Sequence, residues 1–525
     1  MDPEKVNYHY CDDLPTTPLP LGTKILVTGA NGYVGHRLIP ELIFRGYSVR
    51  CMFRRTTMPA LLVHERIEVV YADCHNKDEL QPALKDIEYA YYLIHSMRSK
   101  NDEFVEKDKL AAQNFIDVAQ ECNVKRIIYI GGLGDKNDKL SEHLKSRMEV
   151  GSILSKGTVP VIRLRAALIL GTGSASYELV KSLVSHNRWI PFLPEFDSKC
   201  QPIAIRDVIK YLVGMLETPN LTTRVYQIGG KDVFTYRELI KRFAKIMNKN
   251  VRLFEVSWVP LPTRMLCRVY AYWLHLFNSV PVNITAMLLN SLKSDVVCTE
   301  NDIQKILPFE PLDCNTSVEW ALKKEEQSRV FSHWSDVPPE QMTDLLPLCQ
   351  YEASDFLMDE HSLEIPARPE VIFPIVCRLG GQHGWVHGNT LWQIRGAVDR
   401  LLGGPGLNRG RRDENQLREG DSIDFWRVEK FEMNKQLLLR AEMLSPGLSW
   451  LQIILEPQGS DRTKLILKAH FIPQPFWGPL YWNIMAKFHD YIFTGMLSSF
   501  QKEAMKENGG PQSPKRSHEV PTLQP

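Results

Sequence analysis

No stretch of the 525 residues reaches the roughly 18 uninterrupted apolar residues that a membrane-spanning helix needs. The longest candidate, Val259 to Leu289, is interrupted by Pro262, Arg264, Arg268, His275, Pro281 and Asn283. It reads as one or two amphipathic helices, and peripheral contact with a lipid surface is the only membrane role left to it. Met1 to Leu21 carries acidic residues and prolines but no basic segment followed by an apolar one, so it does not read as a secretory signal. Excess charge of either sign is also missing. Lys plus Arg number 63 against 62 for Asp plus Glu, which removes bulk attraction to nucleic acid or to an anionic membrane, and no nucleic-acid partner is expected. The ten cysteines contain no Cys-x-x-Cys pair, as suits free thiols in a reducing, cytoplasmic setting, each by default a small buried apolar residue. No His, Cys, Asp and Glu set has metal-ligand spacing and no Gly-x-Ser-x-Gly elbow occurs, so neither a metal centre nor that kind of serine nucleophile is indicated.

What the sequence does hold begins at Lys24. The apolar run Ile25-Leu26-Val27 fits a buried parallel strand, Gly29, Gly32 and Gly35 punctuate a tight turn, and Leu38, Ile39, Leu42 and Ile43 follow at helical spacing. A strand-loop-helix of this kind can hold a pyrophosphate. Gly29 and Gly32 let the backbone approach where side chains would clash, Gly35 permits close packing of helix on strand, and the helix N-terminus offers free N–H groups. The candidate dinucleotide loop is therefore Gly29, Ala30, Asn31, Gly32, Tyr33, Val34 and Gly35.

Short apolar runs then alternate with helical patterns. Tyr47 to Phe53 reads as a second strand ending at Arg54 and Arg55, where a dinucleotide fold would otherwise carry an acid for the ribose 2′-hydroxyl. Two arginines and no acid suit a 2′-phosphate, so NADP (NADPH) is expected ahead of NAD; the plainer reading is a solvated basic strand end. Ile67 to Tyr71 leads to Asp73, which suits either an adenine amine or a cap on the next helix, and Tyr89 to Ile94 leads to His95 and Ser96. A helical pattern from Phe104 to Glu121 feeds a fifth strand, Arg126 to Ile130, followed by Gly131 and Gly132. This alternation predicts an α/β fold with a doubly wound parallel sheet.

The loop Thr28 to Gly35 and these strand endings resemble the extended and atypical, NmrA-like, short-chain dehydrogenase/reductases. Further marks are Arg163-Leu164-Arg165 through Gly171, Gln201-Pro202-Ile203-Ala204-Ile205-Arg206-Asp207-Val208 and Tyr226-Gln227-Ile228-Gly229-Gly230, covering about Lys24 to Lys324. The resemblance implies an NAD(P)-binding Rossmann domain with a small substrate-side subdomain. Active relatives use a serine after the fifth strand and a Tyr-x-x-x-Lys pair on the next helix. Here glycines end the strand, His143 stands at the tyrosine's place and Arg147 at the lysine's, still one turn apart on one helix face. His143 is either the candidate proton donor, a weak one because a neighbouring guanidinium would hold it neutral, or a helix-surface histidine near the cofactor, and Arg147 can grip ribose or phosphate oxygens. Ser141, Ser146 and His95 are possible substitutes. Some atypical relatives bind NADP(H) without turning substrate over, so loss of the triad leaves two functions open.

Val161 to Leu170 reads as another strand, Ala175 to His186 and Tyr236 to Met247 as helices, and Val259 to Leu292 as a helical cap. Tyr270, Tyr272, Trp273, Leu274 and Phe277 read as core, against which a hydrophobic substrate can also rest. The expected division is an N-terminal extension (1–21), the dinucleotide-binding domain (22–324), a linker (325–360), an α+β domain (361–507) and a disordered tail (508–525). In the fourth part, a strand from His361 to Ile365, a helix from Glu370 to Cys377, strands Asp424–Val428, Gln436–Leu444, Leu448–Leu455 and Lys464–Phe471, and a helix from Gly478 to Glu503 follow in order. That order resembles the helix-grip, START-like or polyketide-cyclase-like fold, which implies an apolar cavity under the last helix. Trp385, Trp392, Trp426, Trp450, Trp477 and Trp482 either line it or form core, and Arg409, Arg411 and Arg412 either meet an anion or decorate a solvated loop. The sequence thus predicts hydride transfer to or from a hydrophobic carbonyl or enone-type small molecule. The alternatives are a non-catalytic NADP(H)-binding regulatory or structural protein and, third, a lipid carrier.

Overall fold

The computed structural model describes residues 9–54, 64–94, 103–134, 141–193, 197–256, 263–276, 278, 280–292, 294–326, 347–352, 356–407, 411, 413 and 416–509. They fall into two compact units, one of residues 9–54 and 65–326 and the other of residues 347–509 together with His64.

The first unit is built on seven parallel strands. They are β1 (Lys24–Thr28), β2 (Ser48–Phe53), β3 (Ile67–Tyr71), β4 (Tyr89–Tyr92), β5 (Arg126–Gly132), β6 (Val161–Ala166) and a last strand, Arg224–Ile228. Their spatial order is Arg224–Ile228, β6, β5, β4, β1, β2, β3, and every neighbouring pair is parallel. The order reverses between β1 and β4, the switch point at which such sheets open a crevice beyond the strand carboxyl ends. Helices α1 (Tyr33–Phe44), α2 (Lys77–Leu84), α3 (Glu103–Glu121) and α4 (Glu142–Leu154) form the connections or lie beside them. Leu38, Ile39, Leu42 and Ile43, picked out by helical spacing, are all buried.

Two strand boundaries differ from the sequence reading. Gly131 and Gly132 lie inside β5, paired with Arg165 and Ala166, and a β-carbon on Gly132 would stand 2.5 Å from Leu144 Cδ2. The run Val161 to Leu170 breaks in two: β6 stays in the large sheet, whereas Ile169–Leu170 pairs with Ile203–Ala204 in a separate ribbon. The helical cap expected over Val259 to Leu292 is two helices, Thr263–His275 and Val282–Ser291.

The N-terminal segment is docked on this unit by polar contacts that sequence patterning does not disclose. The Tyr10 and Cys11 amides donate to the two carboxylate oxygens of buried Glu41 at 2.8 and 3.2 Å. Arg45, Tyr47 and Thr16 converge on buried Glu217, each at 2.5 Å. Burial pushes the Glu41 carboxyl up to about 7, against the pull of the two amides. Its folded-state affinity for a proton therefore exceeds that of the unfolded chain. The associated stability is complete below about pH 4.5 and is lost as pH rises through about 7, by up to about 3 kcal/mol. Thermal melts from pH 4 to pH 8 are expected to show that fall, and Glu41→Gln is expected to flatten it.

The second unit is a six-stranded antiparallel sheet in the order Leu357–Ile365, Thr463–Pro473, Gly447–Pro457, Gln436–Ala441, Trp426–Glu432, Ser422–Ile423. Helix Trp477–Gly509 packs on it through Ile492, Phe493, Met496, Leu497, Phe500 and Ala504, a stripe at helical spacing that belongs to the same buried cluster as Trp385, Trp392 and Phe425. The first strand starts at Leu357 rather than His361, because its half-buried positions include the polar residues Asp359 and His361, which hide the apolar alternation. Helix Asn389–Leu401 was not expected. Gly396 interrupts its pattern, yet a β-carbon there would meet Leu407 at 2.7 Å, so the glycine serves close packing rather than a turn. Among the described residues no helix is long and apolar enough to cross a membrane.

Candidate functional site

The crevice at the switch point starts from the glycine loop. Gly29 has φ +63°, and a β-carbon on it would lie 3.0 Å from the Leu93 carbonyl oxygen at the end of β4. A β-carbon on Gly35 would stand 2.5 Å from the Gly29 oxygen, so the loop and the first turn of α1 close up only with glycine there. Gly32 is the N-cap of α1 and no side chain caps that end, which leaves the opening amides of the helix to a ligand. Thr28, singled out in the sequence only as part of the loop, joins the two strands that flank the crevice. Its hydroxyl donates to the Tyr91 carbonyl and accepts from the Leu93 amide, both at 3.0 Å.

A cavity of about 530 Å³ runs from this loop along the strand ends and under the helices that follow. Gly29, Asn31, Gly32, Tyr33, Val34 and Gly35 line its first part, and Ala30 is buried behind them. The Tyr33 phenol is pushed up to about 12 by burial, so it faces the cavity as a neutral hydroxyl. Arg37 stacks on the Tyr33 ring at 4.7 Å and donates to the Thr172 carbonyl at 2.7 Å, tying α1 to the loop after Leu170.

Arg54, exposed at the end of β2, lines the same cavity beside Asp73 and His75. Asp73 is not a helix cap, since Asn76 caps α2. Its carboxylate instead accepts from the His75 amide at 3.0 Å and pairs with the His75 ring at 2.7 Å. The His75 contacts hold it down at about 2, with Arg54 adding a smaller pull. The same pairing raises His75 above its ordinary range. His75 was missed in the sequence reading; the available signal was a histidine two residues past an acid at a strand end. Arg55, His95 and Ser96 lie outside the described residues.

At the other expected reaction groups the structure is more apolar than the sequence reading supposed. Leu144 covers Gly132, one of the glycines that end β5, and both line the cavity with Leu133. Arg147 also lines it. One arm of its guanidinium donates to the Ile130 carbonyl at 2.5 Å, and its Nε is buried without a partner among the described residues. The backbone of His143 lies in α4, and its side chain is outside the described residues. Ser141 is the N-cap of α4, accepting from the Leu144 amide, and its hydroxyl meets that of Ser291 at 3.0 Å. Ser146 is buried and is not part of the cavity wall. The atom in the way at Gly132 is the terminal methyl of the rotatable Leu144 side chain, so Gly132→Ser is expected to destabilise the first unit by no more than about 1 kcal/mol in a thermal melt.

The expected aromatic cluster divides. Tyr270 and Leu274 are buried and line the cavity, Trp273 packs against the core and Tyr272 is exposed, while Phe277 is outside the described residues. In the second unit a separate apolar cavity of about 240 Å³ is lined by Trp392, Trp426, Trp450 and Trp482, among others. Trp385 is core and donates to Asp424 at 2.8 Å, whereas Trp477 is exposed. Arg411 is tied to the Leu379 and Asp413 carbonyls at 2.7 and 3.0 Å, so it braces its own loop, and Arg409 and Arg412 lie outside the described residues. No group of three or more His, Cys, Asp or Glu side chains suited to a metal is present among the described residues.

Comparison with known proteins agrees with the glycine-loop geometry. Residues 29–156 match the family described as NAD(P)H-binding, and residues 354–496 match a family described as a protein of unknown function (DUF2867). The chain is 21% identical over 238 residues to the photosystem II assembly factor Ycf39 of Trieres chinensis, covering 45% of this chain and 72% of that protein. It is 22% identical to a ceramide reductase of Caulobacter vibrioides, covering 44% and 73%. It is 24% identical to NADH dehydrogenase [ubiquinone] 1 alpha subcomplex subunit 9, mitochondrial, of Dictyostelium discoideum, covering 42% and 62%. The first unit is thus a Rossmann-like, NAD(P)-binding type of domain, followed by a separate sheet-rich unit.

Proposed function

We propose that the first unit binds NADP(H) and takes part in hydride transfer to or from a hydrophobic carbonyl or enone-type substrate, with the second unit as a helix-grip-like accessory. The observation that carries this reading is the continuity of the cavity: the glycine cradle, the strand ends and an apolar extension form one space. A dinucleotide whose pyrophosphate lies on the cradle would share that space with an apolar molecule. When bound, the nicotinamide would supply or accept the hydride. The chain's own residues do the positioning: Gly29, Gly32 and Gly35 leave the main chain open to the phosphates, and Arg54 with Arg55 meets a 2′-phosphate. Asp73 borders the adenosine side, Arg147 holds ribose oxygens, and Leu133 and Leu144 keep water from the reacting carbon. His143, one turn from Arg147, is the proposed proton donor.

A second reading, a non-catalytic NADP(H)-binding regulatory or structural protein, is favoured by one observation. Glycines stand at the end of β5 where the usual serine is expected, and the Leu144 side chain lies over one of them, Gly132. The relatives' names divide the same way, one a reductase and two an assembly factor and a complex subunit. Nicotinamide absorbance with NADPH and a panel of hydrophobic aldehydes and enones separates the two. Turnover that falls at least about tenfold in His143→Ala, while NADPH affinity stays within about twofold, supports catalysis through that residue. Unchanged turnover removes His143 from the mechanism, and saturable NADPH binding without turnover favours the second reading.

A further inference from the structure

The dinucleotide end of the cavity and its far arm differ in chemistry. Its charge-bearing walls, Arg54, Asp73, His75 and Arg147, all belong to strand ends or to α4. Beyond Leu168 the walls come from four helices, Ala175–His186, Tyr236–Ile246, Thr263–His275 and Val282–Ser291, and none of their described residues in the wall carries a charge. Three of the hydroxyls there are turned to main-chain carbonyls: Ser174 donates to Ile169, Tyr270 to Pro191 and Ser291 to Met287, at 3.1, 2.9 and 3.0 Å, and Ser176 and Tyr236 add two more hydroxyls to the wall. The nearby Lys181 ammonium is not in the wall and is paired with Glu325 at 2.6 Å.

The arm is also long. Along helix Ala175–His186 the wall includes Ala175, Leu179, Val180 and Leu183, one helical stripe extending for about 12 Å at 1.5 Å per residue. Along the next wall Ile284, Leu288 and Leu292 cover about the same length. Leu179 and Leu288 are only half-buried although they pack on the small apolar cluster of Val280 and Ile284. A nucleotide or a carboxylate would lose its water there and meet, among the described wall residues, a few hydroxyls and no cation in return.

We propose that the arm selects an uncharged aliphatic chain, so that the substrate is a long-chain carbonyl compound or the corresponding alcohol, held with its functional carbon at the Leu133–Leu144 end. This rests on the hydride-transfer reading for the identity of the functional group, but the arm itself is testable without turnover. The probes are butanol, octanol, dodecanol and dodecanoate, titrated calorimetrically into the full-length protein with and without NADP. Affinity should rise about fourfold per methylene from butanol to octanol, with dodecanoate at least about tenfold weaker than dodecanol. Leu288→Trp, which shortens the arm, should weaken dodecanol at least about tenfold and leave butanol and NADP binding within about twofold. Leu288→Ala should spare dodecanol by comparison. A flat chain-length profile, equal binding of dodecanoate, or a profile unaltered by Leu288→Trp would overturn the proposal while leaving cofactor binding standing. A steep profile in a protein that binds no dinucleotide would keep the arm and remove the hydride-transfer reading.

Discussion

Gly35→Val is expected to reduce NADPH affinity by at least about a hundredfold, near 2.8 kcal/mol, and to lower the melting temperature of the first unit. The cause is steric and local. The new β-carbon would lie 2.5 Å from the Gly29 carbonyl oxygen and 3.0 Å from the Ala30 α-carbon, both main-chain atoms with no rotamer to retreat into. Relief requires the loop to lift from α1, and the lifted loop no longer follows the phosphates. Gly32→Ala is the graded companion. Its β-carbon would sit 3.0 Å from the Gly29 oxygen, so a smaller loss of affinity with a nearly unchanged melt is expected. Equilibrium titration of NADPH into both variants, with circular dichroism to show that each is folded, checks the order. Wild-type affinity in folded Gly35→Val would mean that the loop is an ordinary structural turn.

The second large effect concerns the choice of nucleotide. Replacing Arg54 and Arg55 together with glutamate should weaken NADPH about a hundredfold, because hydrogen bonds to a charged group are worth about 1.5–3 kcal/mol each and the new carboxylates repel the 2′-phosphate. NADH should change by no more than about threefold. Asp73 sharpens the expectation. Its carboxylate stays ionised far below neutral pH and lies near Arg54, so loss of the cations leaves the adenosine side of the cavity negative. Equal weakening of the two nucleotides would show that the arginines support the site without reading the phosphate. His75 gives the pair a pH dependence of known sign. Raised above its ordinary range by Asp73, it is protonated to a higher pH than a free histidine, so NADPH affinity should decline as that proton is lost.

How much of this was legible in the chain depends on the range over which each feature is encoded. The glycine loop was legible because a close main-chain approach allows few residues, and those residues are consecutive. The parallel sheet was legible because buried strands and amphipathic helices have different periods, and both repeat through the first unit. Leu144 was not. Its placement over Gly132 depends on how α4 packs against β5, and the sequence supplied only a leucine at a helical position. Glu41 and Glu217 were hidden for a similar reason: their partners Tyr10, Cys11 and Thr16 precede them by 30 to 201 residues. The apolar arm was half legible. Tyr270 and Leu274 were read as core, and they are buried, but whether a buried side chain faces a neighbour or a cavity does not follow from helical spacing. In the second unit Asp359, His361 and Gly396 masked real elements, since each follows a tertiary contact against local preference.

Calorimetric titration of the full-length protein with NADPH and, separately, NADH tests the central claim most directly. The account predicts one saturable site per chain, tighter for NADPH, and abolished by Gly35→Val. Titrations in which neither nucleotide saturates the folded wild-type protein would contradict it.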